Sequence, residues 1–179
     1  MAKIATCIWL LCFIILSPGF AQQNHLKSNC LKQTYESQIG VLEATGNNDG
    51  YQVEQYLQSA GFGSGYAWCA SFVNWVLIQC CLNTPKSPAW SPVWFPASKV
   101  IYSRDKQNNL SPSTSNVFGI YFANLKRIAH VGFIDSWNTG DWTVTVEGNT
   151  NLAGSREGDG VYRKKRLKRQ IYQVSDWTK

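Results

Sequence analysis

The sequence predicts an α+β fold, with helices gathered in the first half and an antiparallel sheet in the second. Two patterns carry this. Apolar residues recur at helical spacing up to about Cys80, and from Val117 onward short runs of strand formers are bounded by turn residues. Helices followed by strands, without alternation of the two, place the helices on one side of an antiparallel sheet. No internal repeat or interdomain linker divides the 179 residues, so one domain with a sizeable core is expected.

The first segment stands apart from that fold. Residues 1–21 carry Lys3, the apolar run "IATCIWLLCFIIL", then Pro18, Gly19 and small residues ahead of polar Gln22. A basic start, a short apolar middle and a small-residue exit describe a secretory signal peptide, so the mature chain is expected to be 22–179 and exported. A membrane anchor needs about 20 apolar residues, and Pro18 interrupts this run early.

Residues 30–44 read as a helix through Leu31, Ile39 and Leu42, ended by the turn residues of "TGNNDG". A short helix follows at Gln52–Ser59, then the glycine-rich loop "GFGSGY". Counting from Cys69, the residues Phe72, Val73, Val76, Leu77 and Cys80 lie 3, 4, 7, 8 and 11 positions on, one face of a buried helix. Prolines break the next stretch, with a short helix expected at Pro96–Tyr102. Strands are expected at 117–123, 129–137, 142–148, 161–167 and 171–174.

Of the 17 lysines and arginines, six lie in "RKKRLKR", Arg163 to Arg169; with these and Lys3 set aside, 10 remain against 11 acidic residues. The body is near neutral with one basic stripe. That stripe suits either an anionic polymer or membrane surface, or a solvated edge strand whose lysines discourage pairing. No nucleic-acid motif accompanies it.

Four cysteines remain after the leader: Cys30, Cys69, Cys80 and Cys81. Export permits disulfides, and pairing of Cys30 with Cys80 or with Cys81 is open. Cys69 differs from the others in its position. It sits where the glycine loop becomes a helix, and a helix N-terminus lowers a thiol's pKa.

His130 is the one histidine of the body, in "IAHVGFIDSW". The turn "NTGD" joins that strand to "WTVTVEGNTN". If Asn138 faces Asp141, then Val131, Phe133, Val144 and Val146 share one face, with Asp135 opposite Val144. On the other face His130 opposes Asn149, with Glu147 as its diagonal neighbour and Ile134 the one apolar misfit. Glu147 or Asn149 then holds one imidazole nitrogen while the other faces Cys69, the arrangement of nucleophile, base and orienter.

In that order, "YAWCASFVNWVL", "AHVGFID" and "VEGNT" resemble the CHAP and NlpC/P60 superfamily of papain-like cysteine amidohydrolases and peptidases. The resemblance spans roughly 30–167, and "ATGNNDGYQVEQYL" and "GSREGDGVYRK" resemble a bacterial cell-wall branch. It implies a papain-like fold, catalytic Cys69, His130, Glu147 and Asn149, and a secreted or periplasmic peptidoglycan hydrolase acting as amidase or endopeptidase. Trp68 stands where many CHAP members carry glutamine, and Ser115-Asn116 where the strand often opens Gly-Asp. Tyr66 is a candidate second oxyanion donor, and Tyr66 and Trp68, flanking the nucleophile, are candidate substrate-binding residues. The aromatic segment "SPAWSPVWFP" offers Trp90 and Trp94 as a lining for glycan or peptide. With a single body histidine and no further ligand cluster, neither a metal nor a cofactor is expected. Two rival readings keep the same residues: a wall-binding protein without the chemistry, and a cysteine protease or transferase acting on protein amides.

Overall fold

The helical and alternating periodicities of the two halves become separate layers in the computed structural model, which describes residues 19–107, 109–152 and 158–179. Three helices, α1 (Gly19–Ser37), α2 (Tyr51–Ser59) and α3 (Cys69–Gln79), precede six strands. These are β1 (Val100–Ser103), β2 (Val117–Phe122), β3 (Arg127–Ser136), β4 (Trp142–Thr150), β5 (Gly160–Leu167) and β6 (Gln173–Ser175). The strands form one antiparallel sheet in the order β1-β6-β2-β3-β4-β5. The fold is α+β. The expected leader lies for the most part outside the described residues, as does much of "GSREGDG". Among the described residues no helix is long and apolar enough to cross a membrane.

The main core joins the helices to the sheet. Leu31 and Tyr35 of α1, Tyr56 and Leu57 of α2, and Phe72, Val73, Val76 and Leu77 of α3 meet Val131, Phe133 and Val146. Tyr35 stacks on Phe133 with ring centroids 5.1 Å apart. A second, smaller cluster holds Phe118, Ile134, Ile171 and Val174. It explains Ile134, the apolar misfit of the hairpin pattern, which is fully buried there. The Cys30–Cys80 disulfide ties α1 to the residue that ends α3, and Cys81 is left exposed as a free thiol.

Three expectations need correction. The first helix spans Gly19–Ser37 rather than 30–44, because the chain beyond it pairs with the sheet instead. Gly40 adopts a φ of 94°, which favours glycine. From there the Gly40 and Glu43 amides donate to the Val161 and Asp159 carbonyls at 3.0 and 2.8 Å, extending the β5 edge. Leu42, expected on a buried helix face, is exposed in that segment. Residues 100–103 form strand β1 instead of the end of a helix, since Val100 and Tyr102 pair with Ser175 and Val174. In the hairpin, Phe133 opposes Val146 and Ile134 opposes Thr145 as the pattern requires, but Ser136, not Asp135, opposes Val144. Asp135 is the extra residue of a bulge, its carboxylate taken by the Tyr35 hydroxyl at 3.0 Å and Arg163 Nε at 3.2 Å.

Residues 163–167 of the basic stripe lie in β5, an edge strand, as the solvated-edge reading requires, and Lys168 and Arg169 lie in the turn that follows. Alternation splits its charges. Arg163 pairs with Glu36 and Asp135, and Lys165 lies over the Trp142 ring, whereas Lys164 and Arg166 turn to the opposite face. The Ser115-Asn116 departure forms a turn: Ser115 has φ 71°, and Asn116 Oδ1 accepts the Ser113 amide at 2.8 Å.

Candidate active site

Cys69 is the first residue of α3 and is buried, with 6% of its surface exposed. No side chain caps the helix; Trp68, at the cap position, is held from the sheet instead. Its backbone N–H donates to Asn149 Oδ1 at 3.2 Å, and its indole Nε1 donates to Glu43 Oε1 at 2.8 Å. Asn149 also donates through Nδ2 to Asn48 Oδ1 at 3.0 Å and takes a φ of 52°, a left-handed conformation that asparagine tolerates. Beside it, Gly148 lets the helix lie against the strand. A Cβ there would stand 2.7 Å from the Trp68 ring and 2.8 Å from Phe72 Cβ. The end of β4 thus fixes where the nucleophile helix begins.

His130 enters from β3 next to a second bulge. It opposes Ile120, while Tyr121 opposes Ile128, so Ala129 is the extra residue. Bulges re-aim neighbouring side chains. Imidazole Nε2 meets Glu147 Oε2 at 2.8 Å, and the ring and the Cys69 thiol shift each other's proton affinity. With Nε2 occupied, the nitrogen left for sulfur is Nδ1. Ser91 Oγ lies 4.0 Å from Cys69 Sγ.

Glu147 is fully buried and fully bonded. Arg166 grips it with both arms of its guanidinium, through Nε to Oε1 and through Nη2 to Oε2, the latter at 2.5 Å. Thr145 Oγ1 donates to Oε1 at 2.5 Å. Gly132 on β3 makes room, since a Cβ there would come within 3.0 Å of Glu147 Cγ.

These contacts set the charges. Burial alone would raise the Cys69 pKa, but the hydrogen bond and charge of His130, a bond from the Val131 backbone and Ser91 bring it below the ordinary thiol value. Burial alone would lower His130; its bonds to Cys69 and Glu147 outweigh that and lift it to about 9. Glu147, which burial would raise, is held well below the usual carboxylate range by Arg166 and then His130. These directions favour a thiolate–imidazolium pair backed by an ionised carboxylate.

The structure therefore brings Cys69, His130 and Glu147 into one chain of contacts. Asn149 joins the site differently, gripping the Trp68 amide rather than the imidazole. Trp68 and Trp94 are fully buried, which removes them as ligand-contacting residues. Trp68 packs on Tyr56 at 5.5 Å, and Trp94 packs on Trp177 at 5.1 Å. Tyr66 and Trp90 are exposed, with Arg127 over the Trp90 ring. Arg166, Thr145, Glu43 and Ser91 were not singled out from the sequence. Arg166 lay within the basic stripe, and only the β4–β5 register, Thr143 opposite Arg166, aims it at Glu147. Among the described residues no group of three or more histidine, cysteine or acidic side chains converges as a metal site would require.

Fold and site define an α+β protein with a buried thiol–imidazole–carboxylate chain at a helix start. No protein-family model matches the chain, and no curated protein matches it significantly.

Proposed function

We propose that the protein is a secreted bacterial peptidoglycan hydrolase with a papain-like fold of the CHAP and NlpC/P60 type. It cleaves a wall amide, as an N-acetylmuramoyl-L-alanine amidase or a peptide endopeptidase. The observation that carries this reading is the chain from Cys69 through His130 to Glu147, anchored by Arg166. Support also comes from the nucleophile helix packed on an antiparallel sheet, and from a disulfide suited to an oxidising compartment.

The thiolate of Cys69 attacks the amide carbon and forms a C–S bond, while the carbonyl π electrons move to oxygen. The unpaired amides of the first turn of α3, that of Cys69 first, face the resulting oxyanion. The imidazolium of His130 gives its proton to the leaving nitrogen, the C–N bond breaks, and a thioester remains. Water then attacks the thioester carbon and gives a proton to neutral His130. The C–S bond breaks, releasing the acid and restoring the ion pair. Glu147 keeps the imidazole oriented and its charge matched throughout. Asn149 acts through Trp68, setting the height of the helix start. Tyr66 and Trp90 remain available to contact glycan or peptide.

The test is mass spectrometry of purified peptidoglycan digested with the protein and, in parallel, with Cys69→Ala. New fragments from the wild type alone are expected, with the variant inert but melting at a similar temperature. Free lactyl ends mean amidase and shortened stems mean endopeptidase. Equal release by both proteins would remove Cys69 from the chemistry.

A further inference from the structure

On the side of the sheet that carries His130, a cleft of about 450 Å³ is lined in part by Arg104, His130, Asn149, Thr150, Lys164 and Arg166. Among the described residues its walls carry Arg104, Lys164 and Arg166 beside the protonated His130 ring, and no carboxylate. One of these charges is matched from beneath, since Arg166 is bound to Glu147. Lys164 is not. Its Nζ donates to Thr150 Oγ1 at 3.3 Å and to the Asn151 carbonyl, both neutral acceptors. Arg104, from the loop after β1, donates to the Arg169 carbonyl at 3.3 Å and lies over the Tyr172 ring; its one carboxylate partner among the described residues is Asp105, in a solvent-exposed pair at 3.4 Å.

Two independent elements thus aim positive charge at a polar recess that also reaches the catalytic imidazole. Burial and then the neighbouring Arg166 guanidinium push the Lys164 pKa down. Among the described residues the recess lining holds more positive charge than negative, and an anion entering it relieves that imbalance.

We infer that this cleft binds a carboxylate of the substrate close to the amide attacked by Cys69, which makes the preferred substrate an acidic stem peptide. The inference rests on the hydrolase reading and deepens it. A hydrogen-bonded charge pair in a partly desolvated site contributes about 1.5–3 kcal/mol, so a free-acid substrate is expected to be favoured about tenfold or more over its amide.

The probes are a muramoyl stem peptide with free carboxylates and the same peptide fully amidated. Their affinities for Cys69→Ala are read by calorimetry, and their cleavage by the wild type is read by mass spectrometry. The acid is expected to bind at least about tenfold tighter. Lys164→Gln in the same background should bring the two affinities within about twofold, whereas Lys164→Arg retains the preference and shows that the fold is intact. Equal affinities for acid and amide, or a preference that survives Lys164→Gln, would overturn the inference. A wild type that cleaves acid and amide equally overturns it while leaving the hydrolase reading standing. Lys164-dependent binding of the acid without cleavage of either peptide keeps the cleft and overturns the hydrolase reading. Inorganic phosphate that displaces the amidated peptide as well as the acid would show a general anion site and overturn the carboxylate assignment.

Discussion

Glu147 holds a negative charge at a position with no exposure to water, and it does so because Arg166, Thr145 and His130 supply all its bonds. Arg166→Met leaves that carboxylate buried and half-matched. Breaking such a pair costs about 3–5 kcal/mol, so a marked fall in melting temperature is expected, with kcat reduced more than KM rises. Arg166→Lys restores charge without the two-armed grip and should recover only part of both. A variant with wild-type melting and turnover would show that Arg166 is a bystander. His130 binds its proton more tightly in the folded chain, at about 9 against an ordinary 6.5. Its protonation therefore stabilises the fold fully below about 6.5, and that contribution fades as pH rises through about 9. On the proposed mechanism the leaving amine needs the same proton, so the rate profile should fall on its alkaline side near there. Alkylation of Cys69, by contrast, should persist below pH 9.0, the ordinary thiol value, since the thiolate is favoured. An alkylation rate that rises only above 9.0 would contradict the ion pair. Cys69, His130 and Glu147 were legible in the sequence because helix start and strand alternation fix where short side chains point. Arg166 was not, since its aim depends on how β5 registers against β4 across a long connection.

Among elements, the contact between α3 and β4 matters most, because it sets where Cys69 stands relative to His130 and Glu147. Gly148→Ala pushes a methyl into the Trp68 ring and Phe72, where less than 3 Å is free. Overpacking of this kind costs about 1–3 kcal/mol. The expected outcome is a lower melting temperature together with slower Cys69 alkylation, as the helix start moves from its place. Alkylation at the wild-type rate would mean that the sheet yields instead. The α2, α3, β2, β3 and β4 positions followed from periodicity, since each buries a continuous apolar face. What escaped were features where backbone pairing outweighs side-chain pattern. The Gly40–Glu43 segment looks helical by composition but is drawn onto the β5 edge. Residues 100–103 follow a proline turn yet pair with β6. Both bulges insert one residue where alternation alone predicts none, and a bulge leaves no mark in a hydrophobic pattern.

For the whole molecule, the Cys30–Cys80 bond closes a separation of 50 residues that includes all of α2 and α3. A loop of that size contributes about 4 kcal/mol on the chain-entropy account. Reduction, or Cys30→Ser, should therefore lower thermal stability by that order while leaving Cys69 reactive. No shift in melting under reductant would show that the helices hold without the bond. The free Cys81 beside Cys80 gives the reduced chain an alternative partner, so reoxidised protein should be checked for a misplaced bridge by peptide mapping. The position of β6 has a consequence in time. This strand is the last described in chain order, yet it lies between β1 and β2 in the interior of the sheet. Its Val174 completes the smaller core cluster, and nearby Trp177 packs on Trp94. During vectorial synthesis, Cys69, His130 and Glu147 are all made before the strand that joins the two parts of the sheet. Until residues 173–177 arrive, β1 and β2 lack their shared neighbour and the sheet stays open. A chain still emerging is therefore expected to hold Cys69, His130 and Glu147 in an unfinished sheet until its last described strand is delivered.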